Sequence, residues 1–160
     1  MEESREYWYM VKKYMIKAII FDCYGVLWVN DSCNTRLVTY IERHLKSRFA
    51  CGMLSNASRR EIDSLLPREV QEVFDVQILS GEVGYSKPDP AIYTAAVQAL
   101  DVAFSEAIFI DDRLAFTTAA RALGMQTICY EDYDQFREEI SFYLDNIKSY
   151  ERNRGEGDGG

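Results

Sequence analysis

The sequence lacks any long hydrophobic run and any block of basic residues. No stretch of about 18 consecutive apolar residues occurs, and the amino terminus contains no apolar segment typical of a signal peptide. We therefore expect neither an export signal nor a membrane span. The 18 basic and 26 acidic residues give a formal net charge of -8. Without a Lys/Arg cluster to follow a phosphate backbone, nucleic-acid binding is not expected.

Histidine is also scarce, and the sequence lacks the cysteine spacing that is typical of a zinc site. The four cysteines show no Cys-x-x-Cys spacing, and three of them lie in apolar runs. They are typical of reduced thiols in a cytoplasmic protein. His44 is the only histidine and lies beside the apolar stripe of a predicted helix, so we interpret it as a surface residue.

Short β-branched or aromatic runs alternate with segments of helical period along most of the chain. The predicted strands cover 17–21, 49–54, 74–80, 107–110 and 126–130. The predicted helices cover 35–46, 58–66, 90–100, 113–123 and 133–149. This alternation predicts an α/β fold with a mostly parallel sheet and helices on both of its faces.

The domain organisation follows from composition. We expect a core domain over 16–150, preceded by an aromatic extension over 1–15 and followed by a Gly-rich disordered tail over 151–160. The extension is interpreted as an amphipathic turn docked on the domain, with a partner-binding aromatic patch as the alternative.

Polar side chains follow four of the predicted strands. Asp22 comes after the first strand, Ser55 and Asn56 after the second, Lys87 after the third, and Asp111 with Asp112 after the fourth. Because the carboxyl ends of parallel strands meet at one edge of the sheet, we expect these side chains to converge there. Carboxylates suit Mg²⁺, and a Lys cation with a Ser hydroxyl suits phosphoryl oxygens.

Each of these residues also has a purely structural explanation. Asp22 could be a turn residue, Ser55 and Asn56 loop or capping residues, and Lys87 a solvated charge. The adjacent Asp111 and Asp112 could cap a helix. Their occurrence at successive strand ends favours the functional interpretation over these separate ones.

The segments "FDCYGVL", "LSN", "SKPDPAIY" and "FIDDRLAFTTAARALGM" resemble the four motifs of the haloacid dehalogenase-like (HAD) hydrolase superfamily, in that family's order. The resemblance covers most of the chain, from about residue 17 to residue 129. It implies a Rossmann-like three-layer sandwich whose parallel sheet has the strand order 5-4-1-2-3.

The resemblance also implies roles for individual residues. Asp22 would be the nucleophile that forms an aspartyl-phosphate, Lys87 would stabilise it, and Ser55 would bind the phosphoryl group. Apart from the resemblance, Asn56 is a further candidate for substrate binding, because it stands with Ser55 just ahead of a predicted helix, where free backbone N–H groups favour an anion. Mg²⁺ would be held by Asp22, the Tyr24 carbonyl and the acidic pair. Within that pair, Asp112 is the expected direct ligand and Asp111 the expected partner of metal-bound water. The implied activity is hydrolysis of a phosphomonoester or acyl phosphate.

Tyr24 departs from the pattern of the phosphatases in this family. They usually carry a second Asp two residues after the nucleophile, as the general acid. A phenol is a weak substitute because its unperturbed pKa is near 10. The form Asp-x-Tyr-Gly occurs in L-2-haloacid dehalogenases, which need no metal, whereas "FIDD" is the Mg²⁺ form. We favour the Mg²⁺ form, because three carboxylates at one edge would repel one another without a cation.

Chain length is the second departure. Between Asp22 and Ser55, and again between Ser55 and Lys87, the chain is too short to hold a cap domain. An uncapped site predicts a macromolecular phosphorylated substrate or a homo-oligomer in which another subunit covers the site. Two alternatives remain: a metal-independent dehalogenase-type hydrolase and a catalytically weak binding or regulatory module.

Overall fold

A five-stranded parallel sheet forms the centre of the protein. The computed structural model describes residues 15–155, with side chains described as far as residue 145. The sheet strands are β1 (Ala18–Phe21), β4 (Ala50–Ser55), β5 (Val76–Leu79), β6 (Ala107–Asp111) and β7 (Gln126–Cys129). A separate antiparallel hairpin consists of β2 (Trp28–Val29) and β3 (Ser32–Cys33). The predicted α/β fold with a parallel sheet is confirmed.

The strand order is β5-β4-β1-β6-β7. It differs in numbering from the expected 5-4-1-2-3 because the hairpin, which the sequence pattern did not predict, comes between the first two sheet strands along the chain. When the hairpin is left out, the five strands read 3-2-1-4-5, which is the expected order taken from the opposite edge.

Seven helices accompany the sheet in the described residues. They are α1 (Thr35–Tyr40, continued by a π-helix over Ile41–Leu45), α2 (Arg59–Leu65), α3 (Arg68–Gln71), α4 (Ser80–Val83), α5 (Pro90–Ala99), α6 (Leu114–Ala122) and α7 (Tyr133–Gly155). A 3₁₀ turn covers Phe104–Glu106. Between Asp22 and Ser55 the described chain contains only the hairpin, α1 with its π-helical continuation, and β4, and between Ser55 and Lys87 only α2, α3, β5 and α4.

Local sequence signals explain where several helices begin and end. Ser58 and Glu61 form a capping box at the start of α2, and Asp89 caps α5 with Pro90 at its first position. Gly124 follows α6 with a φ of 106°, a conformation that glycine adopts without strain.

Strand alternation divides the hydrophobic core into two layers. Ile19 and Phe21 of β1 pack with residues of α1, α2 and α7 on one face of the sheet. Ala18 and Ile20 pack with residues of α5 and α6 on the other face. Since successive strand residues point to opposite faces, β1 contributes to both layers and is buried throughout. The three-layer sandwich is therefore confirmed.

The chain ends differ in part from expectation. Helix α7 continues to Gly155 and so enters the segment that the sequence predicts as a disordered tail. The rest of that tail (156–160) and nearly all of the predicted extension (1–14) lie outside the described residues. Among the described residues, no helix is both long and apolar enough to cross a membrane.

Candidate active site

The carboxyl edge of the sheet brings the predicted site residues together. Asp22 directly follows β1, while Ser55 and Asp111 are the last residues of β4 and β6. Because β1 pairs in parallel with both neighbours, all three strands end on the same edge. A pocket of about 300 Å³ lies there, lined by Asp22, Tyr24, Gly25, Ser55, Asn56, Lys87, Asp112, Arg113 and Phe116.

Lys87 is the central cation of this site. Its ammonium Nζ donates to Asp22 Oδ1 and to Asp111 Oδ2, each at 2.7 Å, and to the Leu54 carbonyl at 3.1 Å. These acceptors use the three N–H bonds that a Lys side chain can offer. The Lys87 side chain is almost completely buried, as are both carboxylates. The ion pairs therefore lie in a region where water screens charge only weakly.

Asp22, Asp111 and Asp112 form an acidic cluster that one ammonium does not neutralise. One carboxylate oxygen from each residue lies within 4.8 Å of the others. Burial raises the pKa of Asp22 to about 7; Lys87 opposes the rise and Asp111 adds to it. Burial and the charge of Asp111 also raise the pKa of Asp112. Close carboxylate oxygens whose charged forms are destabilised make a site that fits a hard divalent cation.

The two adjacent aspartates have different surroundings. Asp111 is fully buried, and its oxygens accept from the Arg113 backbone N–H at 2.9 Å and from Lys87. Asp112 is exposed and lies against Gly25, where a Cβ atom would overlap the Asp112 carboxylate. Asp112 is therefore the more accessible carboxylate for a metal.

Ser55 supplies a hydroxyl group that has no protein partner. The residue is fully buried and lines the pocket, and its Oγ forms no hydrogen bond within the described part of the chain. Leaving a buried polar group unpaired costs free energy, so such a group in a pocket points to a ligand oxygen.

Asn56 also lines the pocket, but its side chain binds the backbone of Lys87. The amide Nδ2 donates to the Lys87 carbonyl at 3.0 Å, and Oδ1 accepts from the Lys87 N–H at 2.7 Å. This pair of bonds fixes the loop that carries Lys87. The predicted substrate-binding role of Asn56 stays a prediction, and its positioning role is one that the sequence did not predict.

Tyr24 lies at the edge of the pocket with 43% of its surface exposed. Partial burial, then the neighbouring Glu61 carboxylate, raises the pKa of its phenol. Glu61 itself is held by Ser58, because its Oε2 accepts from the Ser58 N–H and Oγ. A phenol with a raised pKa is a still weaker proton donor at neutral pH.

Arg113 and Phe116 line the pocket although sequence reasoning did not select them. The Arg113 guanidinium carbon lies 4.4 Å from the centre of the Phe116 ring, and Lys87 Nζ lies 5.1 Å from the same centre. The available sequence signal was position: Arg113 directly follows the acidic pair as the residue before α6, and Phe116 lies in the first turn of that helix.

This chain belongs to the haloacid dehalogenase-like hydrolase family, whose model matches residues 37–124, more than half of its length. The matched segment contains Ser55, Lys87 and the acidic pair. Asp22 and Tyr24 precede it, so their assignment depends on the geometry described above.

Curated proteins with different names resemble this chain over part of its length. The chain is 29% identical over 89 residues to drimenol cyclase drtB of Aspergillus calidoustus, covering 55% of this chain and 17% of the cyclase. It is 34% identical over 87 residues to bifunctional epoxide hydrolase 2 of Sus scrofa, covering 54% of this chain and 16% of the hydrolase. It is 27% identical over 106 residues to glyceraldehyde 3-phosphate phosphatase of Pyrococcus furiosus, covering 64% of this chain and 44% of the phosphatase. The chain thus spans less than half the length of each of these relatives.

Solved structures match a larger share of both chains. An uncharacterised protein from Corynebacterium glutamicum superimposes with a TM-score of 0.73 and 26% identity, over 81% of this chain and 96% of that one. The HAD family enzyme BT-2542 from Bacteroides thetaiotaomicron, in complex with magnesium and inorganic phosphate, gives a TM-score of 0.65 at 17% identity, over 76% and 98%. At that identity the second likeness concerns the fold.

Proposed function

We propose that this protein is a Mg²⁺-dependent phosphohydrolase that acts on a phosphomonoester or acyl phosphate through an aspartyl-phosphate on Asp22. The observation that carries the proposal is one pocket that joins the acidic cluster, the Lys87 ion pairs and the unpaired Ser55 hydroxyl. A relative named as a phosphatase and a structural neighbour in complex with magnesium and phosphate support it.

The three aspartates fit Mg²⁺ because they offer hard oxygen ligands at close range. Asp22 and Asp112 would bind it directly together with the Tyr24 carbonyl, and Asp111 would hold its water. When bound, Mg²⁺ supplies positive charge that neutralises the carboxylates and the phosphoryl oxygens. Lys87 reduces the repulsion between Asp22 and the incoming phosphoryl group, because its ammonium already pairs with Asp22.

The reaction has two steps at phosphorus. An Asp22 carboxylate oxygen attacks, forming an O–P bond while the bond from phosphorus to the leaving oxygen breaks. Ser55 Oγ would donate to a phosphoryl oxygen, which the absence of a protein partner for this buried hydroxyl supports. Water then attacks phosphorus, the bond to Asp22 breaks, and inorganic phosphate leaves. The leaving oxygen takes its proton from solvent, since the raised pKa of Tyr24 makes it a poor acid.

The first test is a phosphatase assay with an aryl phosphate, with and without chelator. Wild type should require Mg²⁺, and Asp22→Asn should abolish turnover. Asp112→Asn should mainly weaken Mg²⁺ binding, which calorimetry measures without turnover. Undiminished activity in Asp22→Asn would exclude the covalent step, and activity unaffected by chelator would favour a metal-independent dehalogenase-type hydrolase.

Tyr24 predicts a dependence on the leaving group. Aryl and acyl phosphates should be hydrolysed about 10²- to 10⁴-fold faster than alkyl phosphates, the usual contribution of a general acid. Tyr24→Asp should raise the alkyl rate and change the rate on p-nitrophenyl phosphate less. Equal wild-type rates on both classes, or no gain in a folded variant that binds Mg²⁺, would show that Tyr24 does not replace a missing acid.

The second candidate function is a binding or regulatory module with little turnover, which the surroundings of Tyr24 favour. Calorimetry would then detect binding of Mg²⁺ and of a phosphate analogue, while no phosphorylated substrate in a broad panel would be hydrolysed. For either function we propose a cytoplasmic location, because the four cysteines, all in the described residues, are unpaired.

A further inference from the structure

Lys87 and Arg113 are the two cations that line the pocket, and they differ in availability. The Lys87 ammonium is buried and already donates to three acceptors. Arg113 also lines the pocket but is exposed, and we define the solvent-exposed side of the pocket as its mouth. The pocket thus has an engaged cation at its base and an accessible one at its mouth.

Two contacts fix the position of Arg113. Its backbone N–H donates to Asp111 Oδ1 at 2.9 Å, which holds the residue beside the acidic cluster. Its guanidinium carbon lies 4.4 Å from the centre of the Phe116 ring, one helical turn further along. Stacking on an aromatic ring holds the planar guanidinium while leaving its N–H groups free to donate.

No carboxylate within the described side chains pairs with Arg113. Three other arginines do have such partners: Arg36 binds Asp134, Arg59 binds Glu82 and Arg68 binds Glu72. The exposed Arg60 forms no ion pair within the described side chains either, so Arg113 is distinguished by lining the pocket. An unpaired guanidinium at a pocket mouth, in a protein with a formal net charge of -8, is available for an external anion.

The dimensions of the pocket leave room for more than the transferred group. Its volume of about 300 Å³ equals about ten water molecules in the liquid, whereas a phosphoryl group contains only phosphorus and three oxygens. A phosphoryl group at buried Asp22 and Ser55 would lie at the base. The remainder of the substrate must extend toward the mouth, where Arg113 lies.

We propose that Arg113 binds a second anionic group of the substrate, a carboxylate or another phosphate, beyond the phosphoryl group that is transferred. This inference rests on the proposed phosphohydrolase function, because it takes the scissile group to lie at Asp22. The planar fork of Arg113 matches either anion with paired hydrogen bonds. The preferred substrates are therefore phosphate esters or acyl phosphates that carry a second negative charge.

Calorimetry with non-hydrolysable ligands tests this proposal without turnover. The probes are phosphonoacetate, 3-phosphonopropionate and 4-phosphonobutyrate, each compared with the alkylphosphonate of the same chain length, in Mg²⁺. At least one phosphonocarboxylate should bind wild type about tenfold more tightly than the alkylphosphonate that lacks its carboxylate. Arg113→Met should reduce that ratio to about one, and Arg113→Lys should retain part of it.

Arg60→Met is the matched control, because Arg60 is exposed, lies on the helix that follows Ser55 and does not line the pocket. It removes the same charge and should leave the ratio unchanged. A ratio near one in wild type for all three chain lengths, or equal weakening of both ligand classes by Arg113→Met, would overturn the proposal while the phosphonate site stands. If no phosphonate binds wild type at all, the proposed function and this inference both fail.

Discussion

At the scale of single residues, Gly25 determines where Asp112 can lie. Its φ is 84°, and a Cβ atom there would overlap the Asp112 carboxylate. We expect Gly25→Ala to lower stability by about 1–3 kcal/mol and to weaken Mg²⁺ binding, because the methyl group must displace that carboxylate. Thermal unfolding and Mg²⁺ titration measure the two effects.

Gly84→Ala provides a matched control for this prediction. Gly84 has nearly the same φ, 81°, but nothing lies within 4 Å of the position that a Cβ atom would occupy there. The control variant shares the backbone strain without the clash, and it should bind Mg²⁺ as wild type does. If both variants bind Mg²⁺ equally, Asp112 is not held by its contact with Gly25 or is not a ligand.

Asp22 gives a prediction about stability and pH in the absence of metal. Burial raises its pKa from 3.8 to about 7, so the folded protein disfavours the charged carboxylate despite the Lys87 pair. In chelator at about pH 8, Asp22→Asn should therefore unfold at a Tm several degrees above wild type. The comparison requires thermal unfolding of both proteins across pH.

The direction of this pH dependence follows from the number of protons bound by the folded and unfolded protein. Between about pH 4 and pH 7 the folded protein keeps a proton that the unfolded chain has released, so wild type loses stability as pH rises through this window. The advantage of Asp22→Asn should be largest above about pH 7 and should shrink toward pH 4. A lower Tm for the variant at pH 8 would mean that the attraction of Lys87 outweighs the cost of burial.

The sequence predicted which residues meet in the pocket better than it predicted their contacts. Strand ends are visible in the hydrophobic pattern, and parallel pairing then brings Asp22, Ser55 and Asp111 to one edge. The bonds between Asn56 and Lys87 join residues 31 positions apart on two loops. No local pattern encodes such a contact, and the same is true of the opening that places Arg113 at the pocket mouth.

At the scale of elements, the length of a helix or strand decided whether the sequence pattern could predict it. The five sheet strands and the five longer helices each repeat a period often enough to be recognised. Strands β2 and β3 have two residues each, and helices α3 and α4 have four, too few to display a period. The π-helical end of α1 was predicted as ordinary helix, because apolar spacing does not separate these two windings.

Asn56 connects two elements, and its removal gives a prediction at this scale. Asn56→Ala deletes both hydrogen bonds that join the loop after β4 to the Lys87 backbone. We expect a loss of about 1–2 kcal/mol in stability. Because Lys87 is then less firmly placed, affinity for a phosphate analogue should also fall. Thermal unfolding and calorimetry measure these changes.

Asn34→Ala is the control for that variant. The Asn34 amide donates to the Val26 carbonyl and the Tyr130 hydroxyl, and its Oδ1 accepts from the Leu37 N–H, outside the pocket lining. A similar loss of stability is expected, with unchanged phosphate affinity. Equal affinities in the two variants would show that Asn56 supports the fold without positioning Lys87.

At the scale of the whole molecule, three exposed hydrophobic residues lie in the pocket lining or close to it along the chain. Four large hydrophobic residues are strongly exposed in the described part of the chain: Tyr24, Tyr85, Leu114 and Phe142. Tyr24 lines the pocket, Leu114 adjoins Arg113, and Tyr85 precedes Lys87 by two positions. This arrangement supports our proposal that a second subunit or a macromolecular substrate covers the site.

Leu114→Glu tests that proposal, with Phe142→Glu as its control. Leu114 and Phe142 are 66% and 67% exposed, but Phe142 lies on α7, outside the pocket lining. If a second copy covers the pocket, light scattering should find an oligomer that Leu114→Glu dissociates and Phe142→Glu does not.

If wild type is a monomer, Leu114→Glu should lower kcat/KM on a phosphorylated protein more than on p-nitrophenyl phosphate. A strict monomer that hydrolyses one small metabolite with micromolar affinity would contradict both the oligomer and the macromolecular substrate, because an uncovered pocket leaves much of a small ligand in contact with water.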